Sequence, residues 1–237
     1  MQAIILAAGK STRFGENKLT VQFQNLTLVE HGLKFLKLNG ITGKIFVVIN
    51  KADVYISNKN KIIQPVMHKL LGSPYFSDNI EFIFQNTEEY GPAAGLRTCA
   101  NKITEDYIVL FGDNYYSGII DISFGGAQAI ATAKHHEKHI DNRRFAYADM
   151  QNNRIVEKPH DHMEGDFFCG YLLMKKETVA NLQTLTPSAR NEFEITEFFN
   201  SCEKRLIRKI NCDWMDIATY DQVVEVSKYV SETFIPD

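Results

Sequence analysis

From residue 3 to residue 15 the sequence reads Ala3-Ile4-Ile5-Leu6-Ala7-Ala8-Gly9-Lys10-Ser11-Thr12-Arg13-Phe14-Gly15. The apolar run Ala3–Leu6 has the length of a buried strand, and a polar loop follows it directly. Small residues in such a loop let a nucleobase and phosphates approach the backbone, whose free amides form an anion-binding concavity. Arg13 and Lys18 add positive charge where a triphosphate would lie. The predicted nucleotide-binding residues of this loop are Leu6, Ala7, Ala8 and Gly9.

The loop differs from two other phosphate-binding motifs. A Walker A loop needs a glycine five residues before its Gly-Lys-Ser, and Ile4 stands at that position. A dinucleotide fingerprint needs the spacing G-x-G-x-x-G, but Lys10 and Ser11 follow Gly9. A plain glycine-containing turn between a strand and a helix is the alternative interpretation of the same residues.

The composition excludes several classes of protein. The 237 residues are 44% hydrophobic and 23% charged, which suits one large globular domain. The net charge of −3 gives no general electrostatic reason to bind nucleic acid. No apolar run approaches the roughly 20 residues that a membrane span needs. The cysteines form no CxxC pair, so neither a zinc site nor a disulfide framework is indicated. We expect a cytoplasmic protein that binds neither nucleic acid nor membrane, and a homo-oligomer remains open.

Apolar runs of strand length alternate with longer amphipathic stretches, which predicts βαβ units and a parallel sheet. The expected fold is α/β, a Rossmann-like doubly wound mixed sheet in a single domain. We assign residues 1–120 to a nucleotide-binding part and residues 121–237 to an acceptor-binding part. The other predicted strands are Ile45–Ile49, Ile80–Phe84, Ile108–Phe111, Ile130–Lys134, Phe145–Met150, Arg154–Glu157 and Phe167–Met174. Helices are predicted through Leu28, His31, Phe35 and Leu38, over Lys59–Leu71 and Ala93–Ala100, and near Phe193–Lys204 and Tyr220–Thr233.

Polar residues follow two of the predicted strands at their carboxyl ends, where ligands bind in such sheets. Gln85 precedes the segment Gly91–Leu96, and its amide can both donate to and accept from the edge of a base. Asp113, in Phe111-Gly112-Asp113-Asn114, can present a hard oxygen ligand to magnesium. A polar strand end before a proline-started helix, and an ordinary turn aspartate, are the structural alternatives.

In their order along the chain, these motifs resemble those of the sugar-phosphate nucleotidyltransferase superfamily, which includes glucose-1-phosphate thymidylyltransferase and its uridylyl and cytidylyl relatives. The resemblance extends from Ile4 to about Val226. It implies an enzyme that joins a nucleoside triphosphate to a small phosphorylated acceptor, a sugar 1-phosphate, and releases pyrophosphate. It also implies Mg²⁺ as the cofactor and Gln85 and Gly91 as residues that contact the base.

The resemblance assigns further roles. Asp216, in Trp214–Thr219, joins Asp113 as a metal ligand, although a helix N-cap region is the alternative for it. Arg13 and Lys18 are the implied catalytic cations. In Arg154–Pro159, which resembles a Glu-Lys-Pro element, the glutamate would bind sugar hydroxyls and the lysine the acceptor phosphate. The implied acceptor-binding residues are Glu157, Lys158, Gly170 and Glu192, the last of which could instead favour a helix dipole.

Departures from the family pattern leave the exact substrates open. The short segment Gly15–Lys18 leaves the base open, with a pyrimidine favoured. Ala148 and Ala218 replace expected glycines, so the acceptor can differ in shape from glucose 1-phosphate. The alternatives are a cytidylyltransferase that uses phosphocholine or another non-sugar phosphate, an inert nucleotide-binding regulator, and an oxidoreductase with a degenerate loop. The histidines at 135, 136, 139, 160 and 162 have no spacing that predicts a metal site.

Overall fold

The structure is a computed structural model that describes residues 1–9, 14, 17–51, 55–56, 62–85, 88–135, 145–159 and 164–233. Its first half contains β1 (Gln2–Ala7), β2 (Gln22–Phe23), β3 (Leu26–Thr27), α1 (Leu28–Leu38), β4 (Ile45–Ile49), β5 (Tyr55–Ile56), β6 (Ile62–Ile63), α2 (Pro65–Leu71), β7 (Ile80–Phe84), α3 (Pro92–Cys99) and β8 (Tyr107–Phe111). Its second half contains β9 (Asn114–Ser117), β10 (Ala129–His135), β11 (Tyr147–Asp149), β12 (Arg154–Val156), β13 (Asp166–Met174), α4 (Val179–Thr184), α5 (Ile195–Asn200), β14 (Arg205–Lys209), β15 (Asp213–Asp216) and α6 (Tyr220–Thr233). Within these described ranges, every helix is too short or too polar to cross a bilayer.

One mixed sheet of nine strands organises the molecule. Its path runs β12-β11-β13-β8-β1-β4-β7, and β10 joins β13 to β14. The strands β8, β1, β4 and β7 are parallel neighbours, whereas β13 is antiparallel to both β8 and β10. This architecture confirms the predicted α/β fold with a Rossmann-like mixed sheet.

Helices cover both faces of the sheet, so its central strands are buried on both sides. Along β1, Ile4 points into the core with α3, α4 and α5, and Ile5 points into the core with α1 and α2. All five residues of β4 are buried. Strands covered on both faces are continuous apolar runs rather than alternating ones, which explains why these runs could be recognised in the sequence.

Two short strands, β9 and β15, form a separate antiparallel ribbon beside the main sheet. In its register Asp216 lies opposite Asn114, and Trp214 lies opposite Tyr116. The ribbon packs against α6 through a small core that contains Tyr115, Ile217 and Val226. It therefore places the segment that ends at Asp216 directly beside the end of β8.

Several predicted boundaries were wrong. The predicted helix Lys59–Leu71 begins only at Pro65, because proline fixes φ for a first helical turn and the Gln64 side chain caps the helix by accepting from the Met67 amide. Residues 62–63 before it form a strand, and residues 59–61 lie outside the described residues. The helix predicted near Phe193–Lys204 spans only Ile195–Asn200. Several elements have no counterpart among the predicted ones, namely β9, β14, β15, α4 and the short hairpin strands β2, β3, β5 and β6.

The four cysteines are buried and free. Burial raises the pKa of the Cys99 thiol to about 12 and that of the Cys202 thiol to about 11. Burial likewise raises the pKa of the Cys212 thiol to about 11. A thiol with a raised pKa is a poor nucleophile at neutral pH, so these side chains serve as small core residues.

Candidate functional site

A cavity of about 330 Å³ opens at the carboxyl ends of the parallel strands. Its walls come from the end of β1, the end of β7, the start of α3 and the end of β8. This is the edge at which open α/β sheets bind ligands. The predicted site residues that line the cavity are Leu6, Ala8, Gly9, Lys18, Gln85, Gly91, Asp113 and Glu192.

The deep part of the cavity is mainly apolar, with one amide side chain. Leu6, Val48 and Phe111 line it together with Gln85 and Gly95. A Cβ on Gly95 would lie 3.2 Å from the Leu6 side chain and 3.4 Å from Gln85 Oε1. A side chain at residue 95 would therefore crowd the amide, and glycine leaves this part of the cavity open.

The start of α3 is joined tightly to the segment that carries Glu192. The Phe193 amide donates to the Tyr90 carbonyl at 2.7 Å, and the Ala93 amide donates to the Phe193 carbonyl at 2.9 Å. Gly91 between them has φ +111°, and a Cβ there would lie 2.6 Å from the Phe193 carbonyl oxygen. Only glycine fits this conformation and this close approach, so Gly91 is what allows Glu192 to reach the cavity.

The charged part of the cavity centres on Lys18 and Asp113. The Lys18 ammonium donates to Asp113 Oδ2 at 2.7 Å and to the Ile217 carbonyl at 2.9 Å. Its side chain is only 13% exposed, and a buried ammonium needs such acceptors to offset its desolvation. Asp113 is in turn placed by the amide of Gly112, which donates to the Leu6 carbonyl at 2.9 Å. The cation, the carboxylate and the end of β1 therefore meet at one edge of the sheet.

The two aspartates that the sequence analysis paired share one amide. Asn114 Nδ2 donates to Asp113 Oδ1 at 3.0 Å and to Asp216 Oδ1 at 3.4 Å. The two carboxylate oxygens consequently lie no farther apart than the sum of these distances. The Ile217 amide donates to the Asp113 carbonyl at 3.2 Å, which adds a backbone link between the two segments. Asp113 lines the cavity, and Asp216 lies behind it in the ribbon.

This donor set fits a magnesium ion. Carboxylate oxygens are hard ligands, and Mg²⁺ is usually bound by one or two carboxylates together with substrate phosphates and water. In the part of the chain that the structure describes, no third acidic, histidine or cysteine side chain joins these two in a larger ligand cluster. Asp113 already has a cation, Lys18, as a neighbour. The residues that would hold the ion are therefore Asp113 and Asp216.

The predicted acceptor residues Glu157 and Lys158 do not line the cavity. Arg190 Nη2 donates to Glu157 Oε1 at 3.2 Å, and the Thr196 hydroxyl donates to Glu157 Oε2 at 3.1 Å. Arg190 also holds Glu194 at 2.7 Å, so this ion-pair cluster is anchored to the segment that carries Glu192. Lys158 has φ +39°, and its side chain is 45% exposed. Lys158 thus has an unusual backbone conformation and stands next to a glutamate held by hydrogen bonds. It is not among the residues that line the cavity.

Two other predicted residues do not line the cavity, and a third is not among the described residues. Ala7 is 1% exposed inside β1 and faces the core. Gly170, in β13, has φ +71° and packs against Asn114 and Phe111, so it supports the site from behind and does not line the cavity. Arg13 lies outside the described residues. Of the histidines, His135 faces Asp166 at 3.8 Å, and those at 136, 139, 160 and 162 lie outside the described residues.

Asn114 and Trp214 belong to the site, although the sequence analysis gave them no role. Both stand in motifs that were quoted for their neighbours Asp113 and Asp216. Asn114 Oδ1 accepts from Trp214 Nε1 at 2.7 Å. An asparagine next to a strand-end aspartate could have suggested a role for Asn114. Its partner Trp214 could not be inferred in the same way, because that contact depends on the register of the ribbon.

Comparison with known proteins gives one family match. Residues 3–119 match the model of the MobA-like NTP transferase domain. This segment runs from β1 past β9 and includes Lys18, Gln85 and Asp113.

Curated relatives match more of the chain. A bifunctional GlmU protein from Methanococcus maripaludis is 28% identical over 92% of this chain and 51% of its own length. The UTP–glucose-1-phosphate uridylyltransferase AglF from Haloferax volcanii is 25% identical over 83% of this chain and 81% of its own length. The chain thus spans about half the length of the first of these relatives.

Among solved structures, a Bacillus anthracis protein assigned as a glucose-1-phosphate thymidylyltransferase and crystallised with sucrose superimposes with a TM-score of 0.78. The match covers 100% of this chain and 97% of the other, at 22% sequence identity. At this identity the similarity concerns the fold.

Proposed function

We propose that this chain, whose residues 3–119 match the model of the MobA-like NTP transferase domain, transfers a nucleoside monophosphate from a nucleoside triphosphate to a sugar 1-phosphate. The products are a nucleoside diphosphate sugar and pyrophosphate. The observation that carries the proposal is the convergence of Lys18, Asp113 and Asp216 beside a cavity with an apolar, amide-bearing interior. The same assignment implies a cytoplasmic enzyme, since nucleoside triphosphates are its substrates.

The deep part of the cavity suits the base. Leu6 and Phe111 offer apolar surface to a flat ring, and Gln85 can donate to and accept from its edge. We favour a pyrimidine because an amide that donates and accepts at once suits the edge of such a base. The small residues after β1 would then lie under the ribose and the phosphates, where free backbone amides favour anions.

Two anions must meet in this reaction, and the side chains have to offset their repulsion. Asp113 and Asp216 would hold a magnesium ion, whose divalent charge neutralises the phosphates and orients them when it is bound. Lys18 already lies among oxygen acceptors at the cavity wall, so its ammonium is placed to exchange a protein oxygen for a phosphate oxygen. Arg13 would add a second positive charge near the departing pyrophosphate.

In the chemical step, an oxygen of the acceptor phosphate forms a bond to the α-phosphorus of the triphosphate. The bond from the α-phosphorus to the oxygen that bridges to the β-phosphorus breaks, and its electron pair leaves with pyrophosphate. The acceptor phosphate is largely ionised at neutral pH, because its second pKa is about 6. No general base is therefore needed, and most of the rate must come from orientation and charge stabilisation.

The acceptor would bind between Glu192 and the Glu157–Lys158 pair. Glu157 is fixed by Arg190 and Thr196, so it can accept from sugar hydroxyls in a defined direction. Lys158 would bind the acceptor phosphate as a compact positive charge. Gly170 would contribute indirectly, since it supports Asn114 and Phe111.

The direct test measures pyrophosphate release by the full chain. Each common nucleoside triphosphate is combined with glucose 1-phosphate, with other sugar 1-phosphates, and with phosphocholine as a non-sugar acceptor, and products are identified by mass spectrometry. Asp113→Asn should remove nearly all release. The matched control is Asp121→Asn, because this aspartate has a side chain that is 60% exposed and an ion pair with Arg208. The control should retain full activity.

The outcomes separate the alternatives. Release with a sugar 1-phosphate supports the proposal, and the triphosphate that gives it identifies the base. Release only with phosphocholine would replace the sugar acceptor by a non-sugar phosphate. Nucleotide binding without any release over the whole screen would contradict a transferase and favour a regulator that only binds nucleotide.

A further inference from the structure

The side chain of Asn114 is buried, and each of its polar atoms has a protein partner. Its residue is 5% exposed. The amide nitrogen donates to one oxygen of Asp113 and one oxygen of Asp216, and the amide oxygen accepts from the indole of Trp214. An amide has two N–H donors, so one hydrogen is available for each carboxylate.

Trp214 determines which way this amide points. An indole N–H can only donate, so the amide oxygen must face it. The NH₂ group must then face the two carboxylates. In the reverse orientation the NH₂ group would face the indole N–H, so that donor would meet donor. The amide oxygen would then face two carboxylates, which is electrostatically unfavourable.

The ribbon and the strand behind it fix the position of Asn114. In the antiparallel register, Asp216 lies directly opposite Asn114, and Trp214 stands two residues before Asp216 on the same face. Behind the amide, a Cβ on Gly170 would lie 2.5 Å from Asn114 Oδ1. The amide is thus enclosed by Trp214 on one side, by the backbone of β13 behind it and by the two carboxylates in front.

We propose that Asn114 and Trp214 are positioning residues that set the affinity of the site for a divalent cation. Two carboxylates repel each other in the absence of a cation, and the Asn114 amide holds them at a common distance. Trp214 acts through Asn114, since its indole keeps the NH₂ group directed at the carboxylates. This inference rests on the proposed function only in taking Asp113 and Asp216 as the metal ligands.

The structure also supplies an optical signal for this pair. Trp214 is the single tryptophan of the chain. Its indole is hydrogen-bonded to the amide that contacts both carboxylates, so a cation at the carboxylates should alter the emission of this residue. Mg²⁺ added without nucleotide should therefore change the tryptophan fluorescence of the full chain.

The test measures binding of Mn²⁺ alone, by the loss of its free-ion paramagnetic resonance signal, to the full chain and its variants. Removing an outer-shell partner of a metal ligand typically weakens metal binding about 10- to 100-fold. We expect a loss in this range for Trp214→Phe and for Asn114→Leu, which keeps the side-chain volume without the amide. In Asn114→Leu the Mg²⁺-dependent fluorescence change should disappear as well.

The matched control is Tyr116→Phe. The Tyr116 hydroxyl donates to the Gly170 carbonyl at 2.7 Å, so this variant also removes a buried hydrogen bond from the ribbon without touching either carboxylate. Thermal unfolding followed by circular dichroism should show a folded protein with a lowered melting temperature for both Trp214→Phe and Tyr116→Phe. Of these two variants, only Trp214→Phe should bind Mn²⁺ more weakly. A general loss of stability would not produce this difference between them.

Two results would overturn the inference, and they have different meanings. Equal Mn²⁺ affinity in the wild type, Trp214→Phe and Asn114→Leu would refute the positioning role and leave the metal assignment intact. No Mn²⁺ binding by the wild type, with Asp216→Asn indistinguishable from it, would refute the metal assignment and the positioning role together.

Discussion

Gly170 offers a sharp test of how the site is supported, because another glycine in the structure has nearly the same φ but no atoms close to where a Cβ would lie. Gly170 has φ +71°, and an added Cβ would lie 2.5 Å from Asn114 Oδ1 and 2.7 Å from Phe111 Cδ2. Gly40, which follows α1, has φ +69° and nothing within 4 Å of the same added atom. Alanine at Gly40 therefore carries only the conformational cost, whereas alanine at Gly170 carries that cost and a steric clash.

The expected magnitudes follow from these two terms. A left-handed conformation costs an L-residue about 1–2 kcal/mol, so Gly40→Ala should lower the free energy of unfolding by about this amount. Forcing an extra methyl group into a packed site costs about 1–3 kcal/mol. Relief by movement is difficult at Gly170, because Asn114 is held by Trp214. Gly170→Ala should thus lower the free energy of unfolding by about 2–5 kcal/mol in total.

Urea unfolding of the wild type and both variants measures these values, and linear extrapolation converts the midpoints into free energies. The decisive quantity is the difference between the unfolding free energies of the two variants, in which the cost of a positive φ largely cancels. A Gly170→Ala protein that is destabilised no more than Gly40→Ala would refute the view that β13 closes the space behind Asn114.

Three further predictions concern other parts of the molecule. Asp113→Asn should reduce turnover by at least about 10²-fold, as is typical when a group that stabilises transition-state charge is lost, while circular dichroism still shows the native fold; near-normal turnover would contradict its role as a metal ligand. Lys158→Ala should chiefly raise the Michaelis constant for the acceptor, and an unchanged constant in steady-state assays would contradict its assignment to the acceptor phosphate. Burial lowers the pKa of His31 to about 4, so the folded state keeps it neutral while the unfolded state takes up a proton below its ordinary pKa of 6.5. Stability should therefore fall as the pH drops through 6.5 towards 4, and between pH 7.5 and pH 5 the wild type should lose about 2 kcal/mol more than His31→Gln in urea unfolding; equal losses would show that His31 is not responsible.

The sequence was sufficient to predict the central part of the fold. The strands β1, β4, β7 and β8 are apolar runs because helices cover both faces of the sheet, and such runs can be recognised without knowledge of their partners. The strands that were not predicted are short, or they combine charged and apolar residues. For example, β14 reads Arg-Leu-Ile-Arg-Lys, and β15 reads Asp-Trp-Met-Asp. Their pairing partners stabilise them as strands, and the partners are distant in sequence.

The candidate site likewise contains residues that the sequence could predict and residues that it could not. Lys18 and Asp113 could be proposed from the residues, because they follow strands whose carboxyl ends meet at one edge, whereas the role of Gln85 came from the family resemblance. Asp216 required the family resemblance, since it lies 102 residues from Asn114 and the antiparallel ribbon alone brings the two together. The hydrogen bond between Asn114 and Trp214 depends on the same register, so no local pattern could predict it.

The ribbon of β9 and β15 also fixes the order in which the molecule is completed during its synthesis. When a nascent chain has left the ribosome as far as Lys209, every strand of the nine-stranded sheet is available. The carboxylate of Asp216 is still inside the exit tunnel at that moment, and the Asn114 amide has neither its second carboxylate nor its indole. A ribosome that stalls between these two points therefore displays a chain whose nine-stranded sheet can form before Asp113 and Asp216 come together.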